Sequence, residues 1–392
     1  LAHPNWGHWP LWVWEIANPS AFLFKALSLW SNPDFMKNRP FSLLTLSVRF
    51  PGRLLGGMLL LFGICACDQT GQGSSNSEGV DGEPVLVLQP APAFNADSAY
   101  TFIAKQVSFG YRIPNTEAHR RCGDYLIGQL NQYGWTTYSQ AFEVAAYNGT
   151  ILKSRNIIGA LNPGAKKRII LAAHWDTRPV ADQEKEASQQ MAPIAGANDG
   201  GSGVGVLLEI ARTIAADSAK LGFGIDIIFF DSEDHGQPEF DRGPPRPDSW
   251  CLGAKHWAAN KHVPGYKGYY GILLDMVGAA GARFYQEGVS LEYAPSVVQK
   301  VWAIGHKLGH GEFFVMEGTP GIIDDHRYIN EIAGIPMIDI IQYHPRTGFG
   351  DFWHTHNDNM GIISKETLKA VGQTVVQTLY NEVAPAVPGP AQ

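Results

Sequence analysis

Four strand-like, largely apolar runs, at 168–173, 225–230, 269–274 and 336–341, alternate with segments of helical spacing at 203–216, 293–308 and 365–381. A strand with one wet face alternates apolar and polar residues, whereas an unbroken apolar run belongs to a strand covered on both faces. Such strands separated by helices predict an α/β fold built from crossover units, with helices on either side of the sheet. Each run also leads into polar residues: His174-Trp175-Asp176, Asp231-Ser232-Glu233-Asp234, Asp275, and Gln342-Tyr343-His344. Open α/β sheets place ligands beyond the carboxyl ends of their strands. One domain with one site is the expectation.

The beginning of the chain follows a different pattern. Lys37, Arg39, Arg49 and Arg53 precede an apolar run at 54–66 that ends Ile64-Cys65-Ala66-Cys67. A basic region, a short apolar region and small residues describe an export signal, and the run falls short of the roughly 20 residues a membrane span needs. Cys67 at its end resembles a bacterial lipoprotein signal. The expected product is therefore exported, periplasmic or envelope-anchored by lipid on Cys67, and it meets the membrane only there. A plain secretory signal or an uncleaved anchor fits the same pattern. Upstream, residues 1–35 hold five of the eleven Trp, and Met36-Lys37-Asn38-Arg39 is a natural signal start. Residues 1–35 are read as an upstream extension outside the fold, with an interfacial helix as the alternative. The division that follows is a signal at 36–67, a Gly/Ser-rich tether at 68–90, a catalytic body at 91–383 and a Pro-rich tail at 384–392.

Composition narrows the function classes. A net charge of −7 and a pI near 6.0 argue against a nucleic-acid partner. With Cys65 removed and Cys67 lipidated, Cys122 and Cys251 remain in the body, outside the acidic motifs. A thiolate metal site is not expected; two packed free thiols are the default reading, with a disulfide between them open outside the cytoplasm.

The acidic motifs carry the chemistry. His174 could cap its strand or bind metal. Asn198-Asp199-Gly200-Gly201 precedes a helix, where Asp199 could serve as a cap or offer its carboxylate to a cation. Glu233 and Asp234 are adjacent carboxylates that would repel in a site excluding water. A divalent cation on one of them relieves the repulsion and leaves the other as a proton carrier; a solvated acidic loop is the plain alternative. Asp275 and Asp324 each follow apolar residues. His354, in Phe352-Trp353-His354-Thr355, would complete an O, O, N set with Asp199 and Asp234, a composition suited to catalytic Zn2+ with an open position.

These motifs, in this order, resemble the zinc-dependent aminopeptidase superfamily and, within it, the glutaminyl cyclases (glutaminyl-peptide cyclotransferases). The markers are His-x-Asp at 174–176, Asn-Asp-Gly-Gly at 198–201, Asp-Ser-Glu-Asp at 231–234, Leu-Leu-Asp at 273–275, Asp-Asp-His at 324–326 and Trp-His-Thr at 353–355. Trp353 directly before the last ligand, the Asp-Asp-His some thirty residues earlier and the insert at 237–250 are cyclase-like. The resemblance implies a single three-layer α/β/α domain with a mixed, mostly parallel central sheet. It implies one Zn2+ on Asp199, Asp234 and His354, with Glu233 as general acid/base. Asp275 and Asp324 would be a hydrogen-bonded pair supporting proton transfer, and Trp353 and Phe349 the walls of the glutaminyl pocket. The substrates would be peptides or proteins with N-terminal Gln, acted on by a monomer. If His174 and Asp275 held a second Zn2+ bridged by Asp199, the same residues would make a two-zinc metalloaminopeptidase. The chain departs from animal cyclases in having Asp234 for their Glu, Asp339 for their His, and no disulfide near His-x-Asp. Those departures suit a bacterial member.

Overall fold

The computed structural model describes residues 86–216 and 221–383. Helices α1 (Ala96–Val107) and α2 (Glu117–Gln132) precede an antiparallel hairpin of β1 (Thr136–Ala145) and β2 (Ile151–Leu161). The apolar runs then follow as β3 (Arg168–His174), β4 (Gly224–Phe230) and β5 (Tyr270–Asp275), with α3 (Gly201–Ala215) and α4 (Leu252–Ala259) between them. A small parallel pair, β6 (Phe284–Gln286) and β7 (Phe314–Gly318), flanks α5 (Gly288–Tyr293) and α6 (Pro295–Lys307). Short α7 (Asp325–Tyr328), β8 (Met337–Ile341) and α8 (Lys365–Asn381) complete the body.

Among the described residues the main sheet has six strands in the order β1-β2-β4-β3-β5-β8. It is parallel from β4 through β8 and antiparallel across β1, β2 and β4. All of β3, β4, β5 and β8 is buried, as their largely apolar character predicts, because successive residues face different cores. Ile169, Leu171 and Ala173 join a large core beneath α1, α3, α6 and α8, while Ile170 and Ala172 join a smaller one with Ala254 and Trp257 of α4. The expected mixed, mostly parallel sheet between helical layers is present. The hairpin was not anticipated: edge strand β1 is mostly exposed or half-buried and offers no continuous apolar run to read.

Two glycines hold α3 against the sheet. A Cβ on Gly203 would lie 2.1 Å from the Leu274 carbonyl oxygen, and one on Gly200, at φ +74°, would meet the His174 ring at 2.8 Å. Only glycine permits both the left-handed backbone and that approach. The helix predicted at 293–308 starts at Pro295, since proline suits a first turn; residues before it form the separate α5.

Residues at the end of the expected tether are anchored. Asn381 Nδ2 donates to the Val87 carbonyl at 3.0 Å and Gln377 Nε2 to that of Gln89 at 2.7 Å. The upstream extension, the signal with Cys67, most of the tether and the Pro-rich tail lie outside the described residues. No helix among those described is long and apolar enough to cross a membrane.

Candidate active site

Three buried carboxylates hold the loops beyond the strands, leaving others free to face a cavity. Asp176, just past β3, accepts hydrogen bonds from the Glu233 and Asp234 amides at 3.1 and 3.2 Å. Asp358 accepts from the Asn198 and Asp199 amides at 2.7 and 3.0 Å. Asp231 accepts from the Arg155 amide at 2.5 Å and lies 2.9 Å from His119 Nε2. Main-chain pins of this kind decide where the neighbouring acids point.

Asp199, Asp234 and His354 converge, with donor atoms all within 4.8 Å of one another. His354 Nε2 lies 3.2 Å from Asp234 Oδ1 and 3.7 Å from Asp199 Oδ2. Asp199 Oδ2 and Asp234 Oδ2 are buried without a hydrogen-bond partner. Orphaned anionic oxygens facing an imidazole nitrogen fit a divalent cation, and N/O donors with room for a further ligand fit catalytic zinc. Behind them, Arg178 grips Asp182 with two bonds of 2.6 and 2.7 Å and donates to the Asp234 carbonyl at 3.1 Å. Asp182 Oδ1 in turn lies 3.2 Å from His354 Nδ1, the outer carboxylate that orients a metal-binding histidine. Burial and the Asp199 charge both push the Asp234 carboxyl up.

A second set shares Asp199. His174 Nε2 lies 2.9 Å from Asp199 Oδ1 and 3.3 Å from Asp275 Oδ1. Burial would raise the Asp199 carboxyl, yet the His174 bond and charge hold it below its ordinary value. At Asp275 burial wins: against the pull of His174, and with the Asp199 and Asp324 charges adding to it, the carboxyl is pushed up to about 7.

Glu233, Asp275 and Asp324 line a cavity of about 290 Å3 together with Trp250, Phe349 and Trp353. Phe349 stacks on Trp353 at 4.4 Å, and Trp353 stacks on His354 at 3.8 Å. The pocket wall and the candidate ligand His354 are thus one packed unit. Burial pushes the Glu233 carboxyl well above its ordinary range, with the Asp234 and Asp324 charges adding against the pull of His174. Asp324 caps α7 by accepting from the Asp325 amide at 2.5 Å. Asp324 also gathers with His326 and Asp339, their nearest donor atoms all within 4.8 Å of one another, so Asp324 has a carboxylate neighbour besides the expected Asp275.

All the predicted residues meet here, but several participants were missed. Trp250 ends the insert and enters the cavity wall. Arg178 and Asp182 lie outside every motif. His235 is buried with Nδ1 3.1 Å from Asp176 Oδ2. The reading of Cys251 as remote from the acids is corrected: both body cysteines are free and buried, but Cys251 Sγ lies 3.2 Å from Glu233 Oε1. The insert at 237–250 separates them in sequence while the fold brings its two ends together.

Backbone strain marks the same place. Among the described residues six non-glycines have positive φ. Two are Asn115 and Asn162, a type that tolerates the left-handed region. The other four are Ser232, Cys251, Met276 and His354, each at or beside a site residue. Strain of this kind persists where surrounding contacts over-determine it, commonly at functional sites.

A model of Peptidase family M28 matches residues 156–379. A solved structure of Bacteroides thetaiotaomicron glutaminyl cyclase, bound to N-acetylhistamine, is 51% identical with a TM-score of 0.73, covering 74% of this chain and 99% of that one. A structure described as a leucine aminopeptidase precursor, also from Bacteroides thetaiotaomicron, is 50% identical with a TM-score of 0.72, covering 75% and 99%. The glutaminyl-peptide cyclotransferase of Drosophila melanogaster is 24% identical over 279 residues, 65% of this chain and 73% of its own length.

Proposed function

The chain belongs to peptidase family M28, and within that family we propose that it cyclises N-terminal glutamine of peptides and proteins to pyroglutamate, releasing ammonia. The observation that carries this reading is Glu233, an acid outside the O, O, N set, buried beside it in a cavity with an aromatic wall.

In this reaction the substrate's α-amine attacks its own side-chain carboxamide carbon, a C–N bond forms, and the carboxamide nitrogen leaves as ammonia. Both reacting groups belong to one residue, so the enzyme's task is to fold that side chain into the attacking conformer. Phe349 and Trp353, stacked on each other, would wall the pocket around its methylenes and exclude water, which would otherwise give plain deamidation. Glu233 would take the proton from the attacking amine and return it to the departing nitrogen. Asp275 and Asp324 would hold charge and protons around it. One Zn2+ on Asp199, Asp234 and His354 would supply Lewis-acid polarisation of the carboxamide oxygen.

The alternative is a two-zinc aminopeptidase with a second ion on His174 and Asp275 and Asp199 between the two. The convergence of those three residues favours it. A single ion is supported by the two oxygens without a hydrogen-bond partner, Asp199 Oδ2 and Asp234 Oδ2, both of which belong to the set with His354. Gln-initiated and Leu-initiated peptides given to the purified protein separate the two readings. Loss of one ammonia mass from the first, with the second intact, is expected; release of free leucine would overturn the cyclase reading. We further propose that the protein is exported through residues 36–67, is lipidated at Cys67 and acts as a monomer. The basic and apolar pattern of that segment supports the first two.

A further inference from the structure

We infer that Cys251 is a positioning residue for Glu233, its thiol holding the carboxylate in place by donating a hydrogen bond to Oε1. The main chain around it is locked to the acidic loop. The Cys251 amide donates to the Glu233 carbonyl at 3.0 Å and the Leu252 amide to that of Ser232 at 3.1 Å. A Cβ on Gly253 would lie 2.2 Å from the Asp231 carbonyl oxygen, so the first turn of α4 rests directly on the loop. Cys251 itself is held at φ +56°, a left-handed conformation with a steric cost for any side chain.

That geometry aims Sγ at Glu233 Oε1, 3.2 Å away. Among the described residues no other group donates a hydrogen bond to the Glu233 carboxylate. A glutamate has three side-chain torsions, and a proton carrier must keep the right one of several rotamers. The thiol is the polar group available to select it. Cys251 is fully buried, and burial, with the Glu233 charge adding, pushes its thiol well above 9.0. It therefore keeps its proton for donation and is neither a nucleophile nor a thiolate ligand.

The inference rests on Glu233 as the proton carrier, a role that cyclase and aminopeptidase chemistry both require. The test compares Cys251→Ala, Cys251→Gly and Cys251→Ser in the full zinc-loaded chain, reading kcat, KM and zinc per chain on whichever reaction the parent performs. Glycine relaxes the left-handed backbone while removing the donor, so it separates positioning from folding. Alanine and glycine are expected to lower kcat about tenfold with KM and zinc unchanged, within the cost of a misplaced catalytic group. Serine, which keeps a donor, should remain within about threefold of the parent. Alanine or glycine variants within about twofold of the parent, a loss appearing only in KM, or serine as slow as alanine would each overturn it. A parent that releases amino acids instead of ammonia overturns the cyclase reading and leaves this comparison intact.

Discussion

Asp199 belongs to two donor sets, and the two differ in how well they satisfy themselves. Toward His354 and Asp234, it presents an oxygen with no partner, and Asp234 does the same. Toward His174, it accepts a 2.9 Å hydrogen bond. The first set leaves two carboxylate oxygens without a partner; in the second, Asp199 Oδ1 is paired with His174 and only Asp275 Oδ1 is left without one. Two groups of similar residue type thus receive different roles from their hydrogen-bond inventories, because a buried carboxylate oxygen must be matched by a donor or a metal.

The strongest test of this difference is His354→Ala, which should bind no zinc and have no turnover above background; zinc per chain equal to the parent's would remove His354 from the ligand set. Next is Glu233→Gln, which keeps the shape and leaves the ligands alone. Zinc should stay at the parent level while kcat falls at least ~10²-fold, the low end for losing a general acid/base. Near-normal turnover would dismiss Glu233 as the proton carrier. His174→Ala then compares the second set directly. If His174 only orients Asp199, zinc should remain one per chain and activity should fall about tenfold, as for an outer partner of a metal ligand. A drop from two zinc ions to one would reverse the comparison in favour of the two-metal site.

The smallest effect is expected at Glu287, which belongs to neither set and bonds His326. Burial pulls its carboxyl up, but bonds from His326 and from the Val289 and Ser290 amides outweigh that and hold it at about 2, against an ordinary 4.5. A lowered carboxyl contributes stability that is present above about 4.5 and lost as pH falls toward 2. Glu287→Gln should therefore cost about 2 kcal/mol near neutrality, in the range for hydrogen bonds to a charged group. The gap from the parent in unfolding midpoint should close on acidification through that window. A gap that persists unchanged at pH 2 would contradict the assignment.

The parallel strands were legible because each is a largely apolar run without alternation, a pattern a strand shows when both faces are covered. Their polar ends were legible for the same reason, since an acid after such a run is conspicuous. The hairpin was not, because β1 lies at the sheet edge and buries little. Arg178 and Asp182 escaped notice because neither ends an apolar run; their importance comes from what lies across the loop, at Asp234 and His354. Cys251 was misjudged because proximity in the chain stood in for proximity in space.

Taken alone, the chain's residue order determined the layered α/β architecture and the inventory of acids and histidines at the strand ends. Those follow from local chemistry, since burial pattern and residue type are properties of each segment. Which oxygen is left without a partner, which thiol meets which carboxylate and which indole closes the cavity were decided by the tertiary structure. These are relations between segments far apart in the chain, and only the packed sheet and its crossing loops bring their atoms within bonding distance.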